Sequence, residues 1–321
     1  MADNLNLSRL GQNLTTSDGS WAQDNALFLK VATGEVLTVY NNTTIMKGLH
    51  RERTIQHGKS AAFHATGRAA AKYHKPGEAI LGDNKIPHTE VVINVDDFLV
   101  ASVTIADIDE LKADVNTRGE YTKQLGIALA EAYDKNLLQL SILGARSGPR
   151  IPGEAGGSSL TDAGFANDGL AIAKGMFQAA SLFDEKNVPQ NQRYIILRPA
   201  QFYLMASTTE LLNKDWGGSG TYSDGTITKI AGIEIKTSNL VPNAIVTATA
   251  GQNNKYDGNF ANVIGTCFHT DALGTVKLKD LTTAITGGDF NTVYLATLLT
   301  TRYAMGHGVL RSECCIEFAK A

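Results

Sequence analysis

The sequence predicts an α+β subunit organised around one long helix, and three observations lead to that prediction. A stretch of about thirty residues contains no proline and has helical periodicity, strand-like chain lies on both sides of it, and a long polar hairpin precedes it. At 1.5 Å per residue a helix of ~30 residues spans ~45 Å, whereas the mean globular helix has ~11–12 residues. A helix of that length indicates a flat, extended subunit.

The long helix is predicted over residues 114–146. Asp114 and Asn116 offer capping oxygens at its start, and Arg146 lies near its end, where the helix dipole favours a cation. Apolar residues recur at three- and four-residue steps and form one wide stripe. The stripe contains Tyr121, Leu125, Ala128, Leu129, Ala132, Tyr133, Leu137, Leu140 and Leu143. The heptad register of a coiled coil is not kept, so this helix is predicted to be a single spine.

Residues 51–104 are predicted to form a long two-stranded hairpin. Its returning strand places Val91, Ile93 and Val95 on one side, and Lys75-Pro76-Gly77 marks a turn at the tip. Two isolated strands are marginally stable in water. We therefore expect this hairpin to be stable when it lies across another surface, which we predict to be a neighbouring subunit.

Residues 1–50 are polar and weakly periodic. Within them Ala26–Thr38 is predicted to order as a short helix that ends in a turn at Gly34. The whole segment is either an arm that becomes ordered against neighbouring subunits or a partly disordered tail. The sequence leaves both interpretations open.

The chain after the spine is predicted to mix strands and helices. Gly144–Asn167 is rich in glycine and is predicted to be a flexible loop, and Gly306-His307-Gly308 is predicted to be the turn between two C-terminal strands. Pro199 is predicted to open a helix that runs to about Leu212. The other predicted elements are a helix at Asp168–Glu185, strands at Tyr194–Leu197 and Val263–Phe268, an isoleucine-rich segment at Thr226–Thr237, and C-terminal strands at 293–304 and 309–319.

Composition and charge argue against several classes of protein. Charged residues make up 19% of the chain and its net charge is −3, without a run of Lys and Arg of the kind that nucleic-acid binders use to displace counterions. The sequence has neither a secretory h-region near its start nor an apolar run of about 18 residues. Its three cysteines form no disulfide framework, which fits synthesis in a reducing cytoplasm. Low charge fits a subunit that hides its surface in contacts, and an ordinary enzyme equally well.

Fragments of catalytic motifs are present, but no complete motif is. Gly58-Lys59-Ser60 resembles the end of a phosphate-binding loop, yet Arg53 stands where that loop needs its first glycine. Five histidines precede the spine without the spacing of zinc ligands, and we interpret them as solvated or interface histidines. They are His50, His57, His64, His74 and His88. The sequence therefore predicts no enzyme activity, no cofactor and no metal site.

Four blocks of the chain together resemble one known family. They are GKSAAFHATGRAAAKYHKPGE at 58–78 with HTE at 88–90, DV at 114–115 with EYTKQLG at 120–126, GTVKLKDL at 274–281, and YAMGHGVLR at 303–311. In this order they resemble the major capsid proteins of short-tailed bacteriophages of the podovirus (autographivirus) type. Because four collinear blocks agree, this signal is stronger than any single motif.

The resemblance implies the Hong Kong ninety-seven capsid fold. On that template residues 1–50 are the N-arm, 51–104 the E-loop, 105–190 with 292–321 the peripheral domain, and 191–291 the axial domain. The resemblance also implies hexamers and pentamers that tile an icosahedral head around double-stranded DNA, assembled in the host cytoplasm with a scaffolding protein and a portal. A net charge of −3 fits a wall that encloses DNA without reading its sequence, and no membrane is involved.

Two rival functions remain open at this point. An encapsulin-like compartment shell would share the fold but would not fill with DNA. A cytoplasmic α/β enzyme would purify as a small oligomer, which size-exclusion chromatography would reveal.

Two sets of residues are candidates for the mechanics of a shell. We hypothesise that hairpin cations meet acidic groups of a neighbour, although solvated charges are an equally good interpretation because exposed pairs contribute ~0–1 kcal/mol. The cations are Arg53, Lys59, Arg68 and Lys75, and the acids are Glu120, Glu131 and Asp134. Gly119 and Gly126 in the spine are weak helix formers, which either permit bending during shell expansion or allow close packing of another element.

Overall fold

Two compact units make up the chain. The computed structural model describes residues 26–69, 71–80, 82, 86–106, 108, 117–208, 229–248, 255–286 and 289–321. Unit 1 draws on Met1–Ile45, Asp97–Tyr133 and Lys279–Met305, and unit 2 on Met46–Asp96, Asp134–Leu278 and Gly306–Ala321. This division does not coincide with the domain boundaries that the resemblance implies, and those boundaries stay a prediction.

Helices and strands are mixed along the described chain. The helices are α1 (Ala26–Thr43), α2 (Thr117–Ala145), α3 (Gly169–Glu185), α4 (Pro199–Ala206) and α5 (Asp289–Tyr294). The strands are β1 (Arg51–Thr54), β2 (Ser60–Thr66), β3 (His88–Asn94), β4 (Leu99–Ala106), β5 (Ser158–Thr161), β6 (Arg193–Leu197), β7 (Lys229–Ile230), β8 (Ile233–Thr237), β9 (Ile245–Val246), β10 (Gly258–Asn259), β11 (Val263–His269), β12 (Leu273–Ile285), β13 (Ala296–Val309) and β14 (Cys315–Ala319).

Unit 2 contains a six-stranded mixed sheet in the order β5-β14-β11-β6-β8-β7. Strand β11 pairs antiparallel with both β14 and β6, whereas β5 and β8 are parallel to their inner neighbours. Every residue of β11 is buried because it lies in the middle of this sheet. The strands predicted at Tyr194–Leu197 and Val263–Phe268 are confirmed. Ala231 and Gly232 form the turn between β7 and β8, with φ of 50° and 79°.

Helices α3 and α4 begin where the sequence predicts. The carboxylate of Asp168 accepts a hydrogen bond from the N–H of Leu170 at 2.9 Å and caps α3, and Pro199 is the first residue of α4. Helix α4 ends at Ala206, before the predicted end near Leu212, which itself lies outside the described residues. The hydroxyls of Ser207 and Thr208 both bind the Leu204 carbonyl and compete with continuation of the helix.

Helix α2 confirms the predicted spine. Its 29 described residues give a length of about 44 Å at 1.5 Å per residue, and the predicted start at Asp114 lies outside the described residues. Leu125 and Leu129 are buried as the apolar stripe predicts, but Tyr121 and Ala128 are exposed. Residues 137–142 are buried on every side. The second half of the helix is therefore part of a core rather than an amphipathic surface element.

A four-stranded sheet has the order β1-β12-β13-β4, with β1 parallel to β12 and β4 antiparallel to β13. Strand β13 continues to Val309, so the turn predicted at Gly306-His307-Gly308 is wrong. A Cβ atom on Gly306 would overlap the carbonyl oxygen of Asn94, and one on Gly308 would lie 2.8 Å from Cγ1 of Ile93. These glycines let the hairpin approach β13 and do not mark a turn.

Two other predictions of irregular chain are also wrong. Helix α1 passes through Gly34 and ends at Thr43, since one interior glycine costs a helix only ~1 kcal/mol. The segment Gly144–Asn167 contains β5 and a 3₁₀ turn, and Ile151 and Phe165 within it are buried. Burial of these apolar side chains orders the segment despite the glycine content that predicted a flexible loop.

Candidate assembly interface

The hairpin root, defined as residues 60–66 and 88–94, packs on its own chain. Strands β2 and β3 pair antiparallel from Ser60↔Asn94 to Thr66↔His88. One face of the root forms a buried apolar cluster, and Val91, Ile93 and Val95 lie on the same side of the returning strand as predicted. The cluster contains Ala61, Ile93, Val276 and Leu310, with Ile55, Phe63, Val91 and Val95 packed against it. The other face is open, and Val92 on it is 54% exposed.

The hairpin tip, defined as residues 71–80, is exposed throughout. The N–H of Glu78 donates to the Lys75 carbonyl at 3.2 Å, and Gly77 has a φ of 93°, so the predicted turn is confirmed. Tyr73 and Ile80 are 103% and 82% exposed. Both side chains are therefore available for contact with another molecule.

The four candidate cations of the hairpin differ in what they contact within the chain. Arg53 donates to the Ala62 carbonyl at 2.6 Å, across the base of the hairpin. Arg68 donates to the Asn187 carbonyl at 3.0 Å, and its Nε lies 3.7 Å from Oε1 of Glu154. Lys59 and Lys75 are exposed, with Lys75 in the turn of the tip.

The three candidate acids of the spine also differ. Glu120 is exposed and contacts Lys123 at 3.7 Å and Gln124 at 3.2 Å on its own helix. Glu131 is exposed as well. Asp134 is 1% exposed, and its carboxylate accepts a hydrogen bond from the N–H of Met46 at 3.1 Å. Asp134 therefore stabilises a turn of its own chain, whereas Glu120 and Glu131 present their charges to solvent.

The two glycines of the spine have different surroundings. A Cβ atom on Gly126 would lie 3.0 Å from the carbonyl oxygen of Val36 and 3.4 Å from Cβ of Val39, so α1 packs closely against this position. A Cβ atom on Gly119 would meet no atom within 4 Å among the described residues. Close packing accounts for the glycine at 126 but not for the one at 119.

Sequence reasoning missed a buried polar cluster beside the hairpin root. Oγ1 of Thr275 lies 2.8 Å from Nε2 of His50 and 2.8 Å from Nδ1 of His307. His50, interpreted above as solvated or at an interface, is instead 5% exposed, and burial lowers the pKa of both imidazoles. The signal in the sequence is a histidine between two glycines, because those glycines make room for close packing around it.

A second polar contact closes the end of the hairpin. The Tyr256 hydroxyl donates a short hydrogen bond to Oδ2 of Asp96, and Nζ of Lys255 lies 3.4 Å from Oδ1 of the same carboxylate. Burial lowers the pKa of the Lys255 amine, and the charge of Asp96 partly offsets that effect. The carboxylate of Asp96 is thus committed to these two partners.

The described residues contain neither a metal-binding group nor an exposed free thiol. No group of three or more His, Cys, Asp or Glu side chains among them is arranged to hold a metal ion. Cys267, Cys314 and Cys315 are free and buried, and burial raises the pKa of each thiol. Within the same residues no helix has the length and hydropathy needed to cross a lipid bilayer.

Comparison with known proteins decides the family. Residues 63–319 match the family model described as Gp10A-like major capsid protein. The chain belongs to this family. It is 33% identical to the major capsid protein of Escherichia phage T7, across 94% of this chain and 95% of that protein.

Solved structures agree with the family. The capsid structure of the cyanophage P-SCSP1u superposes with a TM-score of 0.80 at 38% identity and covers 99% of both chains. The mature capsid of bacteriophage PhiM1 superposes with a TM-score of 0.71 over 87% of each chain at 18% identity, which supports the fold alone.

These comparisons confirm the predicted fold and function. The chain has the Hong Kong ninety-seven type capsid fold and is a major capsid protein of a tailed bacteriophage, hence a structural protein rather than an enzyme. Copies of it assemble into an oligomeric shell in the virion. The family match favours a phage capsid over a compartment shell.

Proposed function

We propose that the chain assembles as hexamers and pentamers into an icosahedral head that encloses double-stranded DNA, with the hairpin tip lying across a neighbouring subunit. The contrast within the hairpin carries this proposal, since the root is buried on its own chain while Tyr73 and Ile80 at the tip are bare. Two strands without a third surface are marginal in water. Around a closed shell, individually weak contacts sum to a stable assembly.

Charge gives the tip a preferred partner on the neighbour. Lys75 lies in the turn of the tip, and Glu120 and Glu131 are exposed on the first half of α2. We infer that these groups meet between subunits, where partial burial strengthens an attraction that is weak in open solvent. Arg68 and Arg53 contribute to the same contact, although the guanidinium group of each already donates a hydrogen bond within its own chain. Asp134 is buried and has no part in this contact.

Shell expansion needs a subunit that changes shape, and we assign the flexible point of the spine to Gly119. Alanine would fit there without a clash against the residues that the structure describes, so packing among them does not explain this glycine. Gly126 fixes the contact between α2 and α1 instead. Bending at a weak helix former leaves that contact intact.

The remaining assignments follow the family template. We propose that residues 1–50 form the N-arm, 51–104 the E-loop, 105–190 with 292–321 the peripheral domain, and 191–291 the axial domain. We also propose that assembly takes place in the bacterial cytoplasm with a scaffolding protein and a portal. The net charge of −3 supports a wall that packaged DNA does not adhere to.

Cryo-electron microscopy of purified particles tests this proposal, combined with nuclease treatment before the DNA is extracted. We expect hexamers and pentamers, density for residues 71–80 on an adjacent subunit, and genomic DNA protected from nuclease. Particles with protected DNA but with the tip folded onto its own subunit would overturn the placement of the hairpin. Intact shells without protected DNA would instead favour a compartment.

A further inference from the structure

A buried chain of hydrogen bonds has a single proton order when its histidines are neutral. Nδ1 of His50 lies 2.9 Å from the Met46 carbonyl oxygen, which can only accept, so Nδ1 carries the proton and Nε2 is bare. The Thr275 hydroxyl therefore donates to Nε2 of His50 at 2.8 Å. Because its proton is now used, Oγ1 of Thr275 accepts from Nδ1–H of His307, also at 2.8 Å.

This chain ties together the segments on which the hairpin root packs. His50 precedes β1, Thr275 lies in β12 and His307 lies in β13. Glycines beside the latter two, Gly274 and Gly308, bring the backbones of β12 and β13 against the Ile93 side chain of the root. The position of the root therefore depends on these three side chains.

We propose that the His50–Thr275–His307 cluster is an acid-sensitive lock on the platform beneath the hairpin root. An added proton on Nε2 of His50 aims two imidazole N–H groups at one hydroxyl oxygen and takes away the acceptor of the hydroxyl proton. None of the three side chains is more than 5% exposed, so water does not readily replace the lost bond. The lock lies within one chain and does not depend on where the hairpin tip rests.

At His307 the nearest charges oppose a proton, whereas at His50 burial is the main cause that opposes it and the charge of Glu52 favours it. Lys277 raises the cost of a charge on either histidine, and Lys255 adds to the cost at His307. Glu52 is the acid that favours the charge, with Oε1 3.7 Å from Nε2 of His50. Its other oxygen already accepts from Nζ of Lys277 at 2.5 Å, so its charge is shared.

The more distant acids are committed to other donors. Asp134 on α2 accepts from the N–H of Met46, in the turn that carries His50. Asp96 binds Tyr256 and Lys255, and the Tyr256 ring lies 6.3 Å from the ring of His307. These groups hold the neighbouring segments in place and leave the two histidines to respond to acid.

The direction of the pH effect follows from the pH at which the folded chain and the unfolded chain each take up protons. Burial lowers the pKa of His50 and of His307 below the ordinary value of 6.5. As pH falls through about 6.5, the unfolded chain takes up these protons while the folded chain does not. The stability of the neutral cluster is therefore complete above pH ~6.5. It is lost as pH falls toward the folded pKa, about tenfold in the folding equilibrium per pH unit for each excluded proton.

Intact particles of the full chain allow a direct test by hydrogen exchange with mass spectrometry. Exchange at the imidazole C2 position reports the titration of each histidine, and we expect His50 and His307 to titrate below pH 6.5. Amide protection in residues 46–54 and 273–278 should fall at least tenfold between pH 7 and pH 5, after correction for intrinsic exchange. Titration of either histidine at or above pH 6.5 would overturn the proposal.

A matched pair of variants isolates the cluster. In His307→Asn the amide has no pKa in this range and can either donate to Thr275 or accept from it, so we expect protection at pH 5 to fall about tenfold less than in the unmodified chain. The control His57→Asn should behave as the unmodified chain does. Equal loss in His307→Asn and the unmodified chain would overturn the lock. If His307→Asn does not assemble, the C2 exchange of the unmodified particles still decides the question.

Discussion

The two ends of the hairpin differ in how far they are buried against their own chain, although they belong to the same hairpin. At the root, Ile93 is 2% exposed and lies among apolar side chains of its own chain. At the tip, Tyr73 and Ile80 are exposed, and the backbone forms a turn in which the N–H of Glu78 donates to the Lys75 carbonyl. The root is stabilised within its own chain, and we propose that the tip is stabilised on assembly. Mutations at the two ends should therefore separate subunit stability from shell stability.

The largest effect is expected at the root. Replacement of Ile93 by Ala leaves a cavity beside Val276 and Leu310 and should lower the free energy of unfolding by about 2–5 kcal/mol. Val92→Ala, on the open face of the same strand, should change it by less than about 0.5 kcal/mol. Urea unfolding of unassembled subunits measures both. Equal effects would show that the root is not anchored on its own chain.

A smaller effect of a different kind is expected at the tip. Ile80→Ser should leave the urea midpoint of unassembled subunits unchanged because this side chain is exposed there. If a neighbour buries it, the loss is about 1.5–3 kcal/mol per contact, and the critical concentration for assembly rises tenfold or more. Light scattering during assembly measures this concentration. Unchanged assembly would remove the tip from the interface.

Charge reversal sharpens the comparison further, since Arg68 contacts its own chain and Lys75 does not share those contacts. Arg68→Glu should cost up to about 1 kcal/mol of subunit stability, because its contacts with Glu154 and Asn187 are lost at an exposed site. Lys75→Glu should cost none. Both should weaken assembly, and more strongly at low salt. Assembly at 0.05 M and 0.5 M salt that is unaffected by either change would contradict the charge hypothesis.

The smallest effect concerns the two glycines of the spine. Gly126→Ala crowds the Val36 carbonyl and should destabilise unit 1 by about 1 kcal/mol. Gly119→Ala meets no atom of the described residues within 4 Å and should stabilise α2 by up to about 1 kcal/mol. Thermal unfolding measures both. Shell expansion is measured as the increase in particle diameter, and normal expansion of Gly119→Ala shells would rule out the hinge.

Local sequence signals predicted much of this fold. The spine was predictable because proline is absent over its length and apolar residues recur with helical period. The returning strand of the root was predictable because Val91, Ile93 and Val95 recur with the two-residue period of a strand. Pro199, which suits the first position of a helix, predicted the start of α4. In each case the evidence lies within a few residues of the element.

The features that escaped prediction depend on contacts between distant residues. Asp134 looks like a surface charge until its partner Met46, 88 positions away, is known. His50 and Thr275 are 225 positions apart, so their hydrogen bond leaves no trace in either local sequence. The glycines at 306 and 308 predict a turn locally but exist to admit the hairpin.

Amide hydrogen exchange of the hairpin, compared between unassembled subunits and finished shells, tests the central claim most directly. Residues 60–66 and 88–94 should be protected in both states, since their packing lies within one chain. Residues 71–80 should exchange freely in the subunit and become protected at least tenfold in the shell. Protection of the tip in isolated subunits, or no gain on assembly, would contradict the account.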